Sequence, residues 1–532
     1  MRPAATQCAG MAPLPGGNGE GIEGAPGLSP APPRGKVPEG IRGNPGLSRP
    51  RFPVIPRAMT RTIALPLWLL ILILLFAGVT FASHFLFPSV RWFFRKRMER
   101  AVTRLNARLK RPIEPFKLAR RHDTIQRLIY DPAVTRAVAE QARAEGIPEN
   151  VAFERARAYA REIVPGFSSA AYFGVGIRIA RWLSRALYRV RLDETDLAAL
   201  DRLDPGAAVV FVMNHRSNMD YVLVTWLVSE ASALAYAVGE WARVWPLSAV
   251  IRAMGAYFIR RRDRSPLYRR VLARYVQMAT AGGVTQAIFP EGRLTLDGRM
   301  GAPRLGLLSY IVEDAGRIGR DVIFVPVALN YDRVFEDRFL VKAARTGVRR
   351  FRPPLGMVLG GVLAHLWRRG TGRFQGFGTA KVSLGAPLSL AAFLAAGPGQ
   401  PTEALAAELM ARVRGAVPVL PVPLVARRLL MAAPLTRAAL EAEVAADLAR
   451  LAARGVAPPG RGPERIVADG LALLAERGLV AQGPDGVAPR EGARDLLAFY
   501  AGSIAHHFED APQMGAARQV ELARQVEVEA PA

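Results

Sequence analysis

The run Asn214-His215-Arg216-Ser217-Asn218-Met219-Asp220 places an imidazole five positions before a carboxylate, directly after the apolar stretch AAVVFVM (207–213). Along one regular helix five positions amount to about 140° of rotation, so the two side chains would diverge. A loop residue followed by a residue in the first helical turn brings them together, and the apolar run YVLVTWLV that follows supplies that helix. Asp220 would then accept from one ring nitrogen of His215, fixing its tautomer and stabilising the imidazolium. The other nitrogen is left as a general base. No serine or cysteine nucleophile is required when the substrate's own hydroxyl attacks. The same spacing also has a purely structural use, because Ser217-x-x-Asp220 has the form of a capping box.

Three further segments carry chemistry. Gly255-Ala256-Tyr257-Phe258-Ile259-Arg260-Arg261 ends an apolar stretch in two adjacent guanidinium groups, whose planar donor forks suit a phosphate. Phe289-Pro290-Glu291-Gly292-Arg293, closing with Asp297-Gly298-Arg299, reads as a turn directly after a strand. It would bring backbone, a carboxylate and arginines to the end of a sheet. Val325-Pro326-Val327 sets a proline inside a buried strand, which points to an edge or bulge near a site.

The elements that must position these residues alternate between 196 and 392. AAVVFVM, LAYAV (234–238), TQAIF (285–289), VIFVPVAL (322–329) and AKVSL (380–384) read as strands. Ser265-Pro266 opens a helix and Gly282-Gly283 closes it. This alternation predicts an α/β domain with a buried sheet, its site in the loops after the strands. Residues 91–195 read as helical, and YFGVGIRIARWLSRALYRV carries Arg178, Arg181, Arg185 and Arg189 along one side. Such a basic stripe fits either solvent or an anionic lipid surface. Residues 393–532 are mostly helical, with Thr436 capping a helix that carries Leu440, Val444, Leu448 and Leu451.

Residues 1–58 are rich in Gly, Pro and Ala and predict disorder; Met59 is an alternative start. Residues 62–90 contain no charge, which predicts a transmembrane helix. The arginine cluster after it, from Arg91 to Arg111, predicts that the C-terminal bulk is cytoplasmic, at a bacterial inner membrane. Lys and Arg total 72 against 45 acids, a net +27. That charge favours anionic lipid, phosphorylated substrates or nucleic acid. Nucleic acid is disfavoured by the apolar span and by the lack of a binding motif. The single cysteine excludes a disulfide framework and a cysteine-ligated zinc site, and no metal site is expected.

In this order and spacing the four segments resemble the glycerolipid acyltransferase superfamily. Its blocks are His-x4-Asp, Gly-x-x-Phe-Ile-x-Arg, Phe-Pro-Glu-Gly and Val-Pro-Val/Ile. His-Arg-Ser and Phe-Ile-Arg-Arg are similar to the glycerol-3-phosphate and dihydroxyacetone-phosphate branch. LLAFYAGSIAHHF (496–508) looks like the Tyr-x-x-x-Ile-x-His segment of long bacterial and mitochondrial glycerol-3-phosphate enzymes.

The resemblance implies a mixed-sheet acyltransferase domain flanked by N-terminal helices, one transmembrane, and a helical C-terminal region. It implies acyl transfer from acyl-coenzyme A or acyl carrier protein to the sn-1 hydroxyl of glycerol 3-phosphate, with membrane lipid as a partner and no cofactor. His215 and Asp220 would be catalytic. Arg216, Ser217, Arg260, Arg261, Glu291, Gly292, Arg293, Arg299 and Pro326 would bind substrate, with N–H groups around Gly292 holding the oxyanion. The alternatives are dihydroxyacetone-phosphate or lysophosphatidate acylation, or a non-enzymatic lipid- or nucleic-acid-binding protein. One departure stands out: Leu294 and Leu296 occupy positions where the family carries arginine. Arg293, Arg299, Arg304 or the segment from Arg345 to Arg352 would have to replace them.

Overall fold

The computed structural model describes residues 66–106, 109, 111–229, 232–239, 247–260, 265–347 and 376–509. Residues 1–58, Arg261 and most of the Arg345 to Arg352 segment lie outside these residues. The chain divides into two compact units, Met1–Phe85 and Leu86–Ala532.

Helix α1 (Leu67–Asn106) begins in the first unit, and its apolar side chains from Leu67 to Phe81 are almost all exposed. Among the described residues no helix is long and apolar enough to cross a membrane. The expected transmembrane helix over 62–90 is not found among the described residues; α1, whose apolar side chains from Leu67 to Phe81 are almost all exposed, covers most of that stretch.

The second unit continues with α2 (Pro115–Leu118), α3 (Arg121–Ile129), α4 (Pro132–Glu145) and α5 (Glu149–Ile163). A π-helical segment, Ala170–Gly176, runs into α6 (Ile177–Leu187). The alternating region follows: β1 (Arg189–Leu192), α7 (Glu194–Asp201), β2 (Ala208–Met213), α8 (Met219–Val228), β3 (Ala235–Val238), α9 (Leu247–Ala253) and β4 (Tyr257–Phe258). It continues through α10 (Pro266–Ala281), β5 (Gln286–Ile288), α11 (Gly306–Glu313), β6 (Val322–Tyr331), α12 (Asp337–Thr346), β7 (Thr379–Leu384) and β8 (Leu388–Ser389). The C-terminal part is α13 (Leu390–Ala395), α14 (Pro401–Gly415), α15 (Pro421–Ala432), α16 (Arg437–Ala453), α17 (Pro463–Glu476), the hairpin β9 (Val480–Gly483) and β10 (Gly486–Pro489), and α18 (Arg494–Gly502).

All five expected strands form, and the expected caps are in place. The Ser265 hydroxyl accepts from the Tyr268 N–H, and Thr436 accepts from Ala439. The strands make one mixed sheet in the order β1-β7-β6-β2-β5-β3-β4, with β8 also paired to β6. Strands β6, β2, β5, β3 and β4 run parallel, while β7 and β8 run antiparallel to β6. Strand β2 is buried on both faces. Val209, Phe211 and Met213 face a core shared with α8 and the C-terminal helices; Ala208, Val210 and Val212 face one shared with α3, α4, α5 and α10. That double burial explains its unbroken apolar run.

Pro326 corrects an expectation. It lies neither at a sheet edge nor in a bulge, but inside β6, opposite Val212 of β2. On the other side of β6, β8 pairs at Ile323 and Phe324 and β7 pairs from Val327 onward. Pro326 falls in the gap between these two partners. Its carbonyl accepts from the Gly385 N–H there at 2.9 Å, so the residue's missing donor faces a place where the ladder needs none.

Candidate active site

Because β2 lies between β6 and β5, the loops that leave the carboxyl ends of these three strands meet at the centre of the sheet. The loop after β2 carries His215, the loop after β5 carries Glu291, and β6 ends in Asn330 and Tyr331. Asn214 continues β2 with its side chain. Its amide donates to the Leu329 carbonyl at 2.9 Å and accepts from the Leu329 N–H at 2.8 Å. His215 is thereby held at the first position where the backbone leaves the sheet.

The His215 ring is buried between Phe289 and Tyr221, with centroids 4.3 and 5.4 Å away. Its Nδ1 lies 3.0 Å from Asp220 Oδ2, and Nε2 has no hydrogen-bond partner among the described residues. An ionised carboxylate only accepts, so Nδ1 carries the proton and Nε2 presents a lone pair. Asp220 sits in the first turn of α8, fully buried. Its Oδ2 also accepts from the N–H groups of Arg216 (2.7 Å) and Ser217 (3.0 Å), and its Oδ1 from the Tyr331 hydroxyl (2.6 Å). The capping and the dyad readings therefore describe the same carboxylate. It closes the start of α8 and grips the imidazole at once.

Two more buried carboxylates finish the loop. Glu291 Oε1 accepts from the His215 N–H at 2.9 Å, and Oε2 from the Gly301 N–H at 2.8 Å. Glu336 accepts from the Ser217 hydroxyl at 2.8 Å and from the Asn218 N–H at 2.6 Å. Four consecutive backbone donors, from 215 to 218, thus end on carboxylate oxygens. Burial pushes Glu291 up to about 7, opposed by its two N–H donors and by Arg216. Burial likewise raises Glu336 above the usual carboxylate range.

The Phe-Pro-Glu-Gly glutamate, expected at the substrate, instead positions the backbone of His215. A Glu291→Gln variant would turn an amide N–H toward a backbone donor. Steady-state kinetics are expected to show kcat lowered on the order of tenfold or more, with KM little changed.

The arginines divide sharply. Arg216 is buried, its Nη1 donates to the Gly298 carbonyl, and its guanidinium lies 5.1 Å from the Phe499 ring. Its Nε and Nη2 have no hydrogen-bond partner among the described residues. Arg260 is instead held by both oxygens of Glu162 on α5, at 2.7 to 3.1 Å, between Tyr159 and Tyr268. It follows β4, three strands from β2, or roughly 14 Å across the sheet. That separation, rather than its chemistry, takes Arg260 away from His215. Arg299 is exposed and paired to Glu509 at 2.6 Å. Arg293 is half-buried beside the Glu291 turn. Gly292 has φ +69°, and a Cβ there would meet the Arg304 side chain at 2.8 Å. The Gly292 N–H is committed to the Phe289 carbonyl at 2.9 Å, so it does not offer the expected oxyanion donor. Leu294 and Leu296 pack against the core.

Sequence reasoning missed Asn214, Tyr331 and Glu336 as site residues. The available signal was a run of polar groups, Asn330-Tyr331-Asp332, at the carboxyl end of a central strand. The C-terminal segment 496–508 joins the same framework. The Tyr500 hydroxyl donates to Asp337 Oδ2 and accepts from the Val334 N–H (3.1 Å) and from Arg477 (2.9 Å). His507 Nε2 lies 2.8 Å from the Val417 carbonyl, and His506 Nε2 lies 2.9 Å from that of Arg414.

Burial, then His507 and Arg414, push His506 down from 6.5 to about 3. A depressed histidine contributes stability that is present above pH 6.5 and lost as pH falls toward 3. Between pH 7 and pH 5 the wild type is expected to lose about 2 kcal/mol relative to a His506→Gln variant, measured by denaturant unfolding.

A histidine–aspartate pair at the carboxyl end of a mixed α/β sheet, with the imidazole Nε2 unpartnered among the described residues and the Ser217 hydroxyl committed to Glu336, suits proton removal from a substrate hydroxyl, as in acyl transfer. Comparison with known proteins agrees. Residues 194–330 match the acyltransferase family model, and residues 364–511 match that of the glycerol-3-phosphate acyltransferase C-terminal region. The chain belongs to the glycerolipid acyltransferase superfamily, within its glycerol-3-phosphate acyltransferase group.

It is similar to the glycerol-3-phosphate acyltransferase of Aeromonas hydrophila, 29% identical over 285 residues, 52% of this chain and 34% of that protein. The corresponding protein of Pseudomonas syringae pv. tomato is 27% identical over 303 residues, 56% of this chain and 35% of that protein. The match spans about a third of the length of these relatives. The crystal structure of the 1-acyl-sn-glycerophosphate acyltransferase of Thermotoga maritima covers 46% of this chain at 18% identity, with a TM-score of 0.28.

Proposed function

We propose that the chain transfers an acyl group from a thioester, acyl-coenzyme A or acyl carrier protein, to the sn-1 hydroxyl of glycerol 3-phosphate, giving lysophosphatidic acid. The observation that carries this is the buried imidazole, with Asp220 on Nδ1 and an Nε2 unpartnered among the described residues, in a chain that carries both family modules. Nε2 takes the hydroxyl proton as the oxygen attacks the thioester carbonyl carbon. The tetrahedral adduct collapses, the C–S bond breaks, and the thiolate leaves with that proton. Arg216, with two guanidinium nitrogens unpartnered among the described residues, and Arg304, exposed beside Gly292, receive the phosphate. Arg260 braces α5 against the sheet.

The exposed apolar part of α1, within the charge-free stretch 62–90, attaches the chain to the plasma membrane. The arginine-rich sequence after it supports a cytoplasmic second unit. Resistance to alkaline extraction tests the attachment, and release into the soluble fraction would overturn it.

The activity is tested with purified full-length chain, palmitoyl-coenzyme A or palmitoyl-acyl carrier protein, and three competing acceptors. Lysophosphatidic acid from glycerol 3-phosphate is the expected main product. Preference for dihydroxyacetone phosphate or lysophosphatidate would overturn the acceptor, and acylation of none of them would overturn the reaction.

A further inference from the structure

A helix on the surface of a globular domain normally has two sectors, one apolar and buried, one polar and wet. Helix α6 and the π-helical segment before it have three. Ile177, Ala180, Ser184 and Leu187 form the buried sector, which packs on α8. Arg178, Arg181 and Arg185 form an exposed basic sector. Beyond them Val175, Ile179 and Trp182 stand 58%, 56% and 55% exposed. Ile179 and Trp182 are three residues apart and Val175 lies one turn earlier, so the three share a side. Val250 of α9 is also exposed, and α9 leads into Met254, whose sulfur lies 2.3 Å from where a Cβ on Gly176 would stand. The apolar sector thus lies beside a second element with the same character.

From this arrangement we infer that the α6 side of the catalytic unit rests on an anionic phospholipid surface, independently of α1. Val175, Ile179 and Trp182 enter the region between headgroups and acyl chains. Arg178 and Arg181 lie along the adjoining sector, where long apolar stems let their guanidinium groups reach lipid phosphates. A tryptophan at this level keeps its ring in the apolar layer and its N–H toward the headgroups. The arginines select an anionic surface over a neutral one, and the chain's net +27 acts in the same direction. Helix α6 packs on α8, whose first turn carries Asp220. One helix, α6, therefore stands between the lipid and the element that carries Asp220. This contact goes beyond the proposed reaction, because it requires a membrane and not catalysis.

The test uses the full-length chain with Cys8→Ser and Ile179→Cys, labelled with an environment-sensitive nitrobenzoxadiazole group. It is reconstituted into phosphatidylglycerol–phosphatidylcholine or pure phosphatidylcholine vesicles. A control label at Val151→Cys lies on α5, across the sheet from α6. In anionic vesicles the label at 179 is expected to shift to the blue and be quenched by shallow nitroxide lipids, whereas the control stays in water. Adding Arg178→Gln and Arg181→Gln is expected to weaken this docking roughly thirtyfold. A label at 179 that stays in water in anionic vesicles overturns the inference. So does a blue shift without lipid that grows with protein concentration, which would instead mean a second copy of the chain. Acyl transfer measured on the same samples separates the two readings, since an active enzyme with an aqueous label at 179 loses only the lipid contact.

Discussion

Replacing Asp220 with asparagine is expected to lower kcat for acyl transfer by about three to four orders of magnitude, with little loss of folding. The asparagine oxygen can take the place of Oδ2 and keep the donors from His215 Nδ1, Arg216 and Ser217. Its NH2 group then faces the Tyr331 hydroxyl, which can turn and accept. The loop and the ring orientation survive. What is lost is the negative charge 3.0 Å from a ring that must become an imidazolium, and that loss falls on the transition state. Steady-state kinetics and calorimetry on one preparation check both halves. A variant with near-wild-type kcat would sink the dyad mechanism, and a collapsed melting transition would mean that Asp220 is chiefly a helix cap. Tyr331→Phe removes one donor and leaves the charge, so it is expected to be far milder.

Replacing Asp337 with alanine is expected to destabilise the second unit by about 3–5 kcal/mol. Asp337 pairs with Arg477 at 2.6 Å, both are buried, and Asp337 also receives the Tyr500 hydroxyl. Its removal strands a desolvated guanidinium and a phenol that burial already pushes well above its ordinary range. Denaturant unfolding measures the loss. The double variant Asp337→Ala with Arg477→Met is expected to recover part of it, because the second change removes the stranded charge. Full stability in the single variant would overturn the assignment. Asp337 starts α12 immediately after Glu336, which holds Ser217 and Asn218, so kcat is expected to fall along with stability.

The framework was legible because burial writes a simple pattern. Strands covered on both faces need unbroken apolar runs, and β2 and β6 as far as Leu329 have them. The His215–Asp220 pair was legible because five residues suffice to define a strand–loop–helix turn. The remainder of the site depends on which strands are neighbours, and no local pattern states that. Glu291 reads as a substrate ligand until β5 is seen beside β2, where its carboxylate meets the His215 backbone. Arg260 reads as a phosphate clamp until β4 is seen three strands away with Glu162 opposite it. Glu336 and Tyr331 belong to no contiguous motif, since they reach the loop only through β6.

Strand β6 has a consequence for how far the protein can be dismantled. Its last residues and the one after it point to three destinations in succession. Asn330 donates to the Pro418 carbonyl and Ser503, Tyr331 to Asp220, and Asp332 receives the N–H groups of Thr379 and Val422. The catalytic loop and the C-terminal helices therefore hang from consecutive residues of one strand. The segment matching the acyltransferase model, 194–330, stops partway through that attachment. Excised as a minimal catalyst, it would lose Tyr331, Glu336 and the helices that cover β6. Proteolytic nicking within the C-terminal helices should silence the enzyme rather than pare it down to a smaller working one.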